Sequence, residues 1–373
     1  MSLGSGSWIA PLRRFVAAIS LPLLSILIAL LIGALVIMID EGSPLEAYRA
    51  LFHGAFGTQA AIQRTMEKAT PLIFSGLAVA FAFKGGLFNI GAQGQLLFGA
   101  ATAGIVGYIV TGLPAIIHVP LSVLAGALAG ALYGAIPGAL KRFRGAHEVI
   151  TTIMLNYIAI NLTDYLATGP FRDTTPGNIV ARTPLIEDSA RIPVLGDAPG
   201  IPLGFVLALL AGLFVWWLLA RTTIGFEIST VGRSPHAAQY AGIRVTAIVI
   251  VTMALSGALA GIGGAVETLG IFGRYQPGFN VGLGFDGITV ALLGKTHPVG
   301  VIFSALLVGA MRAGAPQMQF SVGVRPDIID MVLAIILFFI AADLIRRWLV
   351  RRRGERVVEG EEIMLSTGWG QQA

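Results

Sequence analysis

The chain has 373 residues, 55% of them hydrophobic and 12% charged, with a net charge of +5 and a mean hydropathy of +0.80. Soluble domains are about 25% charged, so this composition excludes a string of soluble domains and points to one polytopic helical membrane domain. The 48 glycines fit that class, and the lack of cysteine excludes disulfides, thiolate metal sites and cysteine nucleophiles.

Residues 1–20 form a cytoplasmic N-terminus whose Arg13 and Arg14 precede the apolar run Leu21 to Ile39. That run is longer than a signal-peptide core and has no clear cleavage site, so it is expected to stay as the first span. A single transmembrane domain then covers 21–349. Asp40 to Lys68 reads as a polar external segment, partly an amphipathic helix. Further spans are expected over Ala69–Phe83, Leu87–Val110, Pro114–Leu140, His147–Thr168, Ile201–Ala220, Thr246–Glu267, Gly284–Gly294, Val299 to about Gly314, and Asp327–Leu349. The fold class is thus all-α, with about eight to ten transmembrane helices, some of them broken or re-entrant. Gly169 to Gly200 carries five prolines and reads as an external loop. Arg221 to Arg244 is the longest internal cytoplasmic segment. Residues 350–373 form a polar cytoplasmic tail whose composition suits disorder. Most of the 25 Lys and Arg residues fall on the inner side of this layout, as the positive-inside rule requires.

Phe83 to Gly99, FKGGLFNIGAQGQLLFG, interrupts the apolar pattern with Lys84, Asn89, Gln93, Gln95 and a series of glycines. Non-helical backbone at membrane depth must be buried in protein or line a wet cavity. Two readings stand open: a substrate path through a broken helix, or a close helix contact with amides as interhelical glue. Gly126, Gly130, Gly134 and Gly138 recur every four residues, and Gly257 and Gly261 repeat that spacing on a later span. Both patterns predict close helix packing. Glu148, Asp164, Glu267, Asp286, Arg312 and Asp330 lie in or near spans and must face the bundle or an interface. Structural pairing is favoured for Glu148, Asp164 and Asp330, while Asp286 and Arg312 also suit a polar path. Lys84-Gly85-Gly86 and Gly294-Lys295-Thr296 each end an apolar segment at an inner turn, suggesting an internal repeat.

Gly294-Lys295-Thr296 is not a phosphate loop, because Thr289 stands where the pattern needs glycine. GLGFDG at 282–287 has no strand before it and is not a dinucleotide fingerprint. The five histidines are far apart, with no metal spacing. No catalytic group or metal site is expected.

GGLFNIGAQGQLLFGA (85–100), HEVITTIMLNYIAI (147–160), GRSPHAAQYAGI (232–243), ALSGALAGIGGAVETLG (254–270), GFDGITVALLGKTHPVG (284–300) and IIDMVLAIILFFIA (328–341) occur in that order. Together they resemble bacterial ABC importer permeases of the nucleoside, simple-sugar and branched-chain amino acid type, most closely the purine-nucleoside kind. Ser234 departs from the asparagine common in that family, and Gln93 from its frequent glutamate. The resemblance implies a type II-like permease in the bacterial cytoplasmic membrane with both termini inside. It also implies a second permease forming a heterodimer, two ATP-binding modules on the cytoplasmic side and an extracytoplasmic binding protein. No cofactor is bound by this chain, ATP being used by the partner subunits, and nucleic acid is not a partner. Phe88, Asn89, Gln93, Gln95, Asp286 and Arg312 are the candidate path residues. Gly232, Arg233, Ser234, Pro235, Ala237, Ala238, Tyr240 and Gly242 are the candidates for coupling to the ATPase. A permease for simple sugars or riboflavin, and an ion-coupled secondary transporter, are the alternative functions.

Overall fold

The computed structural model describes residue 24 and residues 26–352 apart from 40–41, 197–198 and 279–281, with side chains to residue 339. The expectations for residues 1–20 and for the tail beyond Arg352 lie outside the described residues. The helices are α1 (Ile26–Ile39), α2 (Pro44–Phe56), α3 (Gln59–Lys84), α4 (Ala92–Ile109), α5 (Ala115–Arg144), α6 (Glu148–Thr168) and α7 (Leu203–Arg221). They continue as α8 (Thr223–Arg233), α9 (Pro235–Tyr240), α10 (Val245–Glu267), α11 (Leu283–Leu293), α12 (Pro298–Val322) and α13 (Asp327–Arg352). Among the described residues six helices are long and apolar enough to cross a membrane, or seven if α1 and α2 form one bent span. The protein is an all-α, multi-pass membrane protein. Each of the ten expected spans contains a helix, but α11 has only 11 residues and α4 carries two glutamines in its first turn.

Several boundaries differ from the sequence reading. α3 begins at Gln59, ten residues before the expected start, because Thr58 caps it by accepting from Ala61 N at 3.1 Å. Its polar first turns are held by Gln63 donating to Glu67 one turn on, at 2.8 Å. Arg221 to Arg244 contains two helices, since Thr222 caps α8 just as Ser234 caps α9. α10 runs on as a wider turn through Thr268–Phe272 before Gly273 stops it in the left-handed region.

Two units divide the chain, one built on residues up to Gly54 and from Gly314 on, the other on Ala55–Ala313. In the first, a Cβ at Gly314 would collide with the Leu51 carbonyl oxygen, so α2 and α12 meet backbone to backbone. In the second, α10 is the axis and packs against α5, α4 and α3. The glycine ladder explains the approach. A Cβ on Gly130 would strike the Gly257 carbonyl oxygen, and one on Gly257 the Gly130 carbonyl oxygen. Gly126 faces Ala265 and Gly99, Gly134 faces Met253 and Gly257, and Gly138 faces Met253 and Ile250. Gly99 of α4 lies against Gly261 in the same way, so three helices share one seam.

The segment between α6 and α7 is sewn to the end of α10. Ile192 N donates to Leu269 O at 3.1 Å, Ile186 N to Gly273 O at 2.9 Å and Thr183 N to Tyr275 O at 2.9 Å. A two-stranded hairpin pairs Val194 with Pro202 and Leu195 with Ile201. Asp173 anchors the loop's start. It accepts from the Thr175 hydroxyl at 2.5 Å and the Thr175 N–H at 3.1 Å, and pairs with Arg182 at 3.4 Å and Arg274 at 3.8 Å. The Thr175 hydrogen bonds, with help from Arg182, hold its carboxyl below the usual range.

Two outcomes are expected. Gly130→Leu forces atoms into a facing backbone and lowers stability in detergent by at least the ~1–3 kcal/mol of ordinary overpacking, whereas Leu132→Ala, on the exposed face of α5, leaves the melting temperature nearly unchanged. For Asp173, the depressed carboxyl pKa means that its contribution is present above the unfolded value of about 3.9 and is lost as pH falls through the lower folded value. Limited proteolysis of the 169–200 loop therefore rises as pH drops below about 4, and Asp173→Asn makes the loop cleavable at neutral pH.

Candidate functional site

Residues 85–91 leave helical geometry between α3 and α4. The departure starts at a Schellman turn, with Leu87 N donating to Ala82 O and Gly86 N to Phe83 O, both at 3.0 Å, and Gly86 at φ +69°. The end of α11 repeats the pattern: Thr296 N bonds Ala291 O at 2.8 Å and Lys295 N bonds Leu292 O at 3.0 Å. There Lys295 and Thr296, rather than glycine, take positive φ. The two turns lead into different segments. Pro298 opens α12 almost at once, while Leu87 to Gly91 intervene before α4.

That intervening loop is sealed by side-chain amides. Asn89 is fully buried and donates to Gln95 Oε1 and Ser256 Oγ, each at 2.8 Å. Gln95 Nε2 returns a bond to Asn89 Oδ1 at 3.1 Å. Ser256 Oγ donates to Ala78 O at 2.6 Å, joining α10 to α3. α4 has no cap of its own, because Gly91 stands at the capping position. Asn156 of α6 supplies one from a distance: its Oδ1 accepts from Gly94 N at 2.8 Å, and its Nδ2 donates to Ile90 O at 2.9 Å. Gln93 does the same for α11, whose capping position is Gly282, by accepting from Gly284 N at 2.8 Å through Oε1. A carboxylate there would supply the same kind of acceptor.

The predicted path residues therefore fall into two groups. Asn89, Gln93 and Gln95 are buried and engaged with protein, Asn89 and Gln95 with each other and Gln93 with Gly284. Phe88 is half-buried at the loop's edge, with its ring edge-on to Phe83 at a centroid distance of 4.8 Å. Asp286 and Arg312 form a separate ion pair at 2.6 Å between α11 and α12, each partly exposed. Glu148 pairs with Lys141 at 2.6 Å across the α5–α6 turn. Asn156 and Ser256 belong to the amide network but were not singled out from sequence. The available signal was Asn156 among Thr152, Ala159 and Thr163, a small polar face on α6.

In the predicted coupling segment, Ser234 Oγ accepts from Ala237 N at 3.2 Å and Pro235 starts α9. Ala238 is buried, Arg233 and Ala237 are exposed, and Tyr240 is 94% exposed. Gly242 ends the turn at φ +80°. Gly232 lies on the α3–α4 turn: a Cβ there would collide with the Lys84 carbonyl oxygen and crowd Gly85 and Gly86. The segment that Gly232 opens thus touches the start of the amide-sealed loop.

Asn89→Leu leaves the Gln95 carbonyl and the Ser256 oxygen short of a donor inside the bundle. At ~1–3 kcal/mol per unsatisfied buried group, it lowers the thermal midpoint of the purified protein far more than Phe88→Leu does.

Residues 61–341 match the family model described as branched-chain amino acid transport system / permease component. The chain is 43% identical over 336 residues to the guanosine ABC transporter permease protein NupP of Bacillus subtilis, covering 88% of this chain and 94% of that one. It is 36% identical to the nucleoside ABC transporter permease protein NupB of Lactococcus lactis, over 87% and 91% of the two chains. It is 34% identical to the glucose ABC transporter permease protein TsgB13 of Haloferax volcanii, over 88% and 89%. No solved structure matches the chain.

Proposed function

The chain belongs to the permease-component family of the branched-chain amino acid transport system and is a permease subunit of an ATP-binding-cassette importer for a small polar solute; we propose that this solute is a nucleoside. The observation that carries the substrate is the near full-length similarity to the guanosine and nucleoside permeases, which exceeds the similarity to the glucose permease. As a permease-family member the chain has no ATPase activity of its own. ATP is hydrolysed by two modules on the cytoplasmic side, a second homologous permease completes a heterodimeric pathway, and an extracytoplasmic protein delivers the solute. The basic residues near both ends of the chain, Arg13, Arg14 and Arg351 to Arg353, support cytoplasmic termini.

In this reading the ATPase engages the exposed face of α9, where Ala237 and Tyr240 project. Movement of α9 and α8 is passed through Gly232 to the Lys84–Gly86 turn. Asn89, Gln93 and Gln95 then shape the path by holding its broken helices, rather than by binding solute.

The test is uptake by cells carrying the complete transporter. Labelled guanosine is taken up, and unlabelled nucleosides compete while glucose and riboflavin do not. Ala237→Asp with Tyr240→Asp abolishes uptake and co-purification of the ATPase, with thermal stability within about 0.5 kcal/mol of the parent. Competition by glucose alone would overturn the substrate. Ion-driven uptake without the ATPase would replace the importer reading with a secondary transporter.

A further inference from the structure

The outward faces of the spans differ in chemistry. The mid-helix exposed positions of α5 are Leu121, Leu124, Leu128, Leu132 and Ile136, and those of α7 are leucines, Phe214 and two tryptophans. Such faces suit lipid. α6 breaks the rule. Its buried side, Thr152, Asn156, Ala159 and Thr163, holds α4 and its entry loop. Its opposite side exposes Tyr157 (62%), Asn161 and Tyr165 (63%), four residues apart and so in one line, beside the exposed apolar residues Ile150, Met154 and Ile158. At 1.5 Å per residue, each step along that line is about 6 Å. Tyr165 lies in the last turn, where an interfacial tyrosine is ordinary. Tyr157 and Asn161 lie mid-helix, where lipid gives no reason for a phenol and an amide side by side.

From this stripe we infer that α6 presents the solute-facing wall of the translocation path, and that Tyr157, Asn161 and Tyr165 contact the passing solute. The chemistry names the solute class. Asn161 Nδ2 donates to the Tyr157 carbonyl of its own helix at 2.7 Å, which uses one of its two N–H groups and leaves the other N–H and the Oδ1 acceptor for a ligand. The two phenol rings offer flat apolar faces with a hydroxyl at the tip. A ladder of ring, carboxamide and ring suits a neutral, planar heterocycle with N–H donors and ring acceptors that moves from one ring to the next. It does not select a compact polyol without a ring face to stack. The inference deepens the nucleoside reading and rests on it for the identity of the solute.

The absence of native cysteine makes the test direct. Tyr157→Cys, Asn161→Cys and, as a lipid-facing control, Leu132→Cys are made in the complete transporter. Each is treated with a small hydrophilic thiosulfonate, with and without the solute that the parent takes up. Positions 157 and 161 are expected to label at least ~10-fold faster than 132, and solute to slow their labelling several-fold. Tyr157→Phe retains uptake of a ring-bearing solute and Tyr157→Leu loses most of it. Labelling at 157 and 161 no faster than at 132, in variants that still transport, overturns the inference. So does labelling that saturating solute leaves unchanged, and so does a Tyr157→Leu or Asn161→Leu variant whose only defect is loss of the second permease on purification. If Tyr157→Cys does not assemble, Asn161→Cys one turn away decides the same question. If the parent carries glucose and no nucleoside, the substrate proposal fails separately, while reagent access still reports whether the stripe is wet.

Discussion

A stretch of polypeptide that leaves helical geometry while buried in a helix bundle needs partners for the backbone groups it frees, and here Asn89 and its neighbours supply them. The loop 85–91 exists because Asn89, Gln95 and Ser256 close a ring of hydrogen bonds around it, and because Asn156 caps the helix beyond it. Gln93 carries the arrangement to α11 through Gly284. Four elements, α3, α4, α10 and α11, thus meet around amides from one motif, with α6 joined through Asn156. The glycines of that motif let the backbones come close enough for these short side chains to reach.

The same contacts join regions far apart in sequence. Gly232 rests on the turn that opens the loop, the loop is held by Asn156, and Asn156 sits on the face of α6 opposite Tyr157 and Asn161. Each joint is backbone against backbone or a hydrogen bond to backbone, so a displacement at one end has few soft side chains to absorb it.

Much of this was legible in the sequence. Hydropathy marked the spans, since a membrane demands long apolar runs, and the four-residue glycine spacing marked the seam because helical geometry puts those positions on one face. Ser234-Pro235 marked the start of α9 through capping chemistry. The amides were visible but their use was not. A carboxamide suits a solute or a bare helix end equally well, and the bonds that Asn156 and Gln93 make to Gly94 and Gly284 depend on helices far away in sequence. α8 was missed because Thr222 sits in a polar run where a cap does not stand out. The stripe on α6 was hidden for another reason. Asn156 and Asn161 were both visible on that span, yet one points in and one out, and the side that faces in is decided by α4.

The seam between α4, α5 and α10 has a mechanical consequence. Most helix interfaces are cushioned by side chains that change rotamer, so the helices can slide by small steps as packed layers shear. Where Gly99, Gly130, Gly257 and Gly261 put backbone on backbone, there is nothing to re-rotamer. The three helices form a stiff wedge with almost no compliance of its own. A working stroke that spares the wedge bends the chain at its margins, at the turns near Gly86, Gly145 and Gly242 where φ is positive, and carries the wedge as one rigid body.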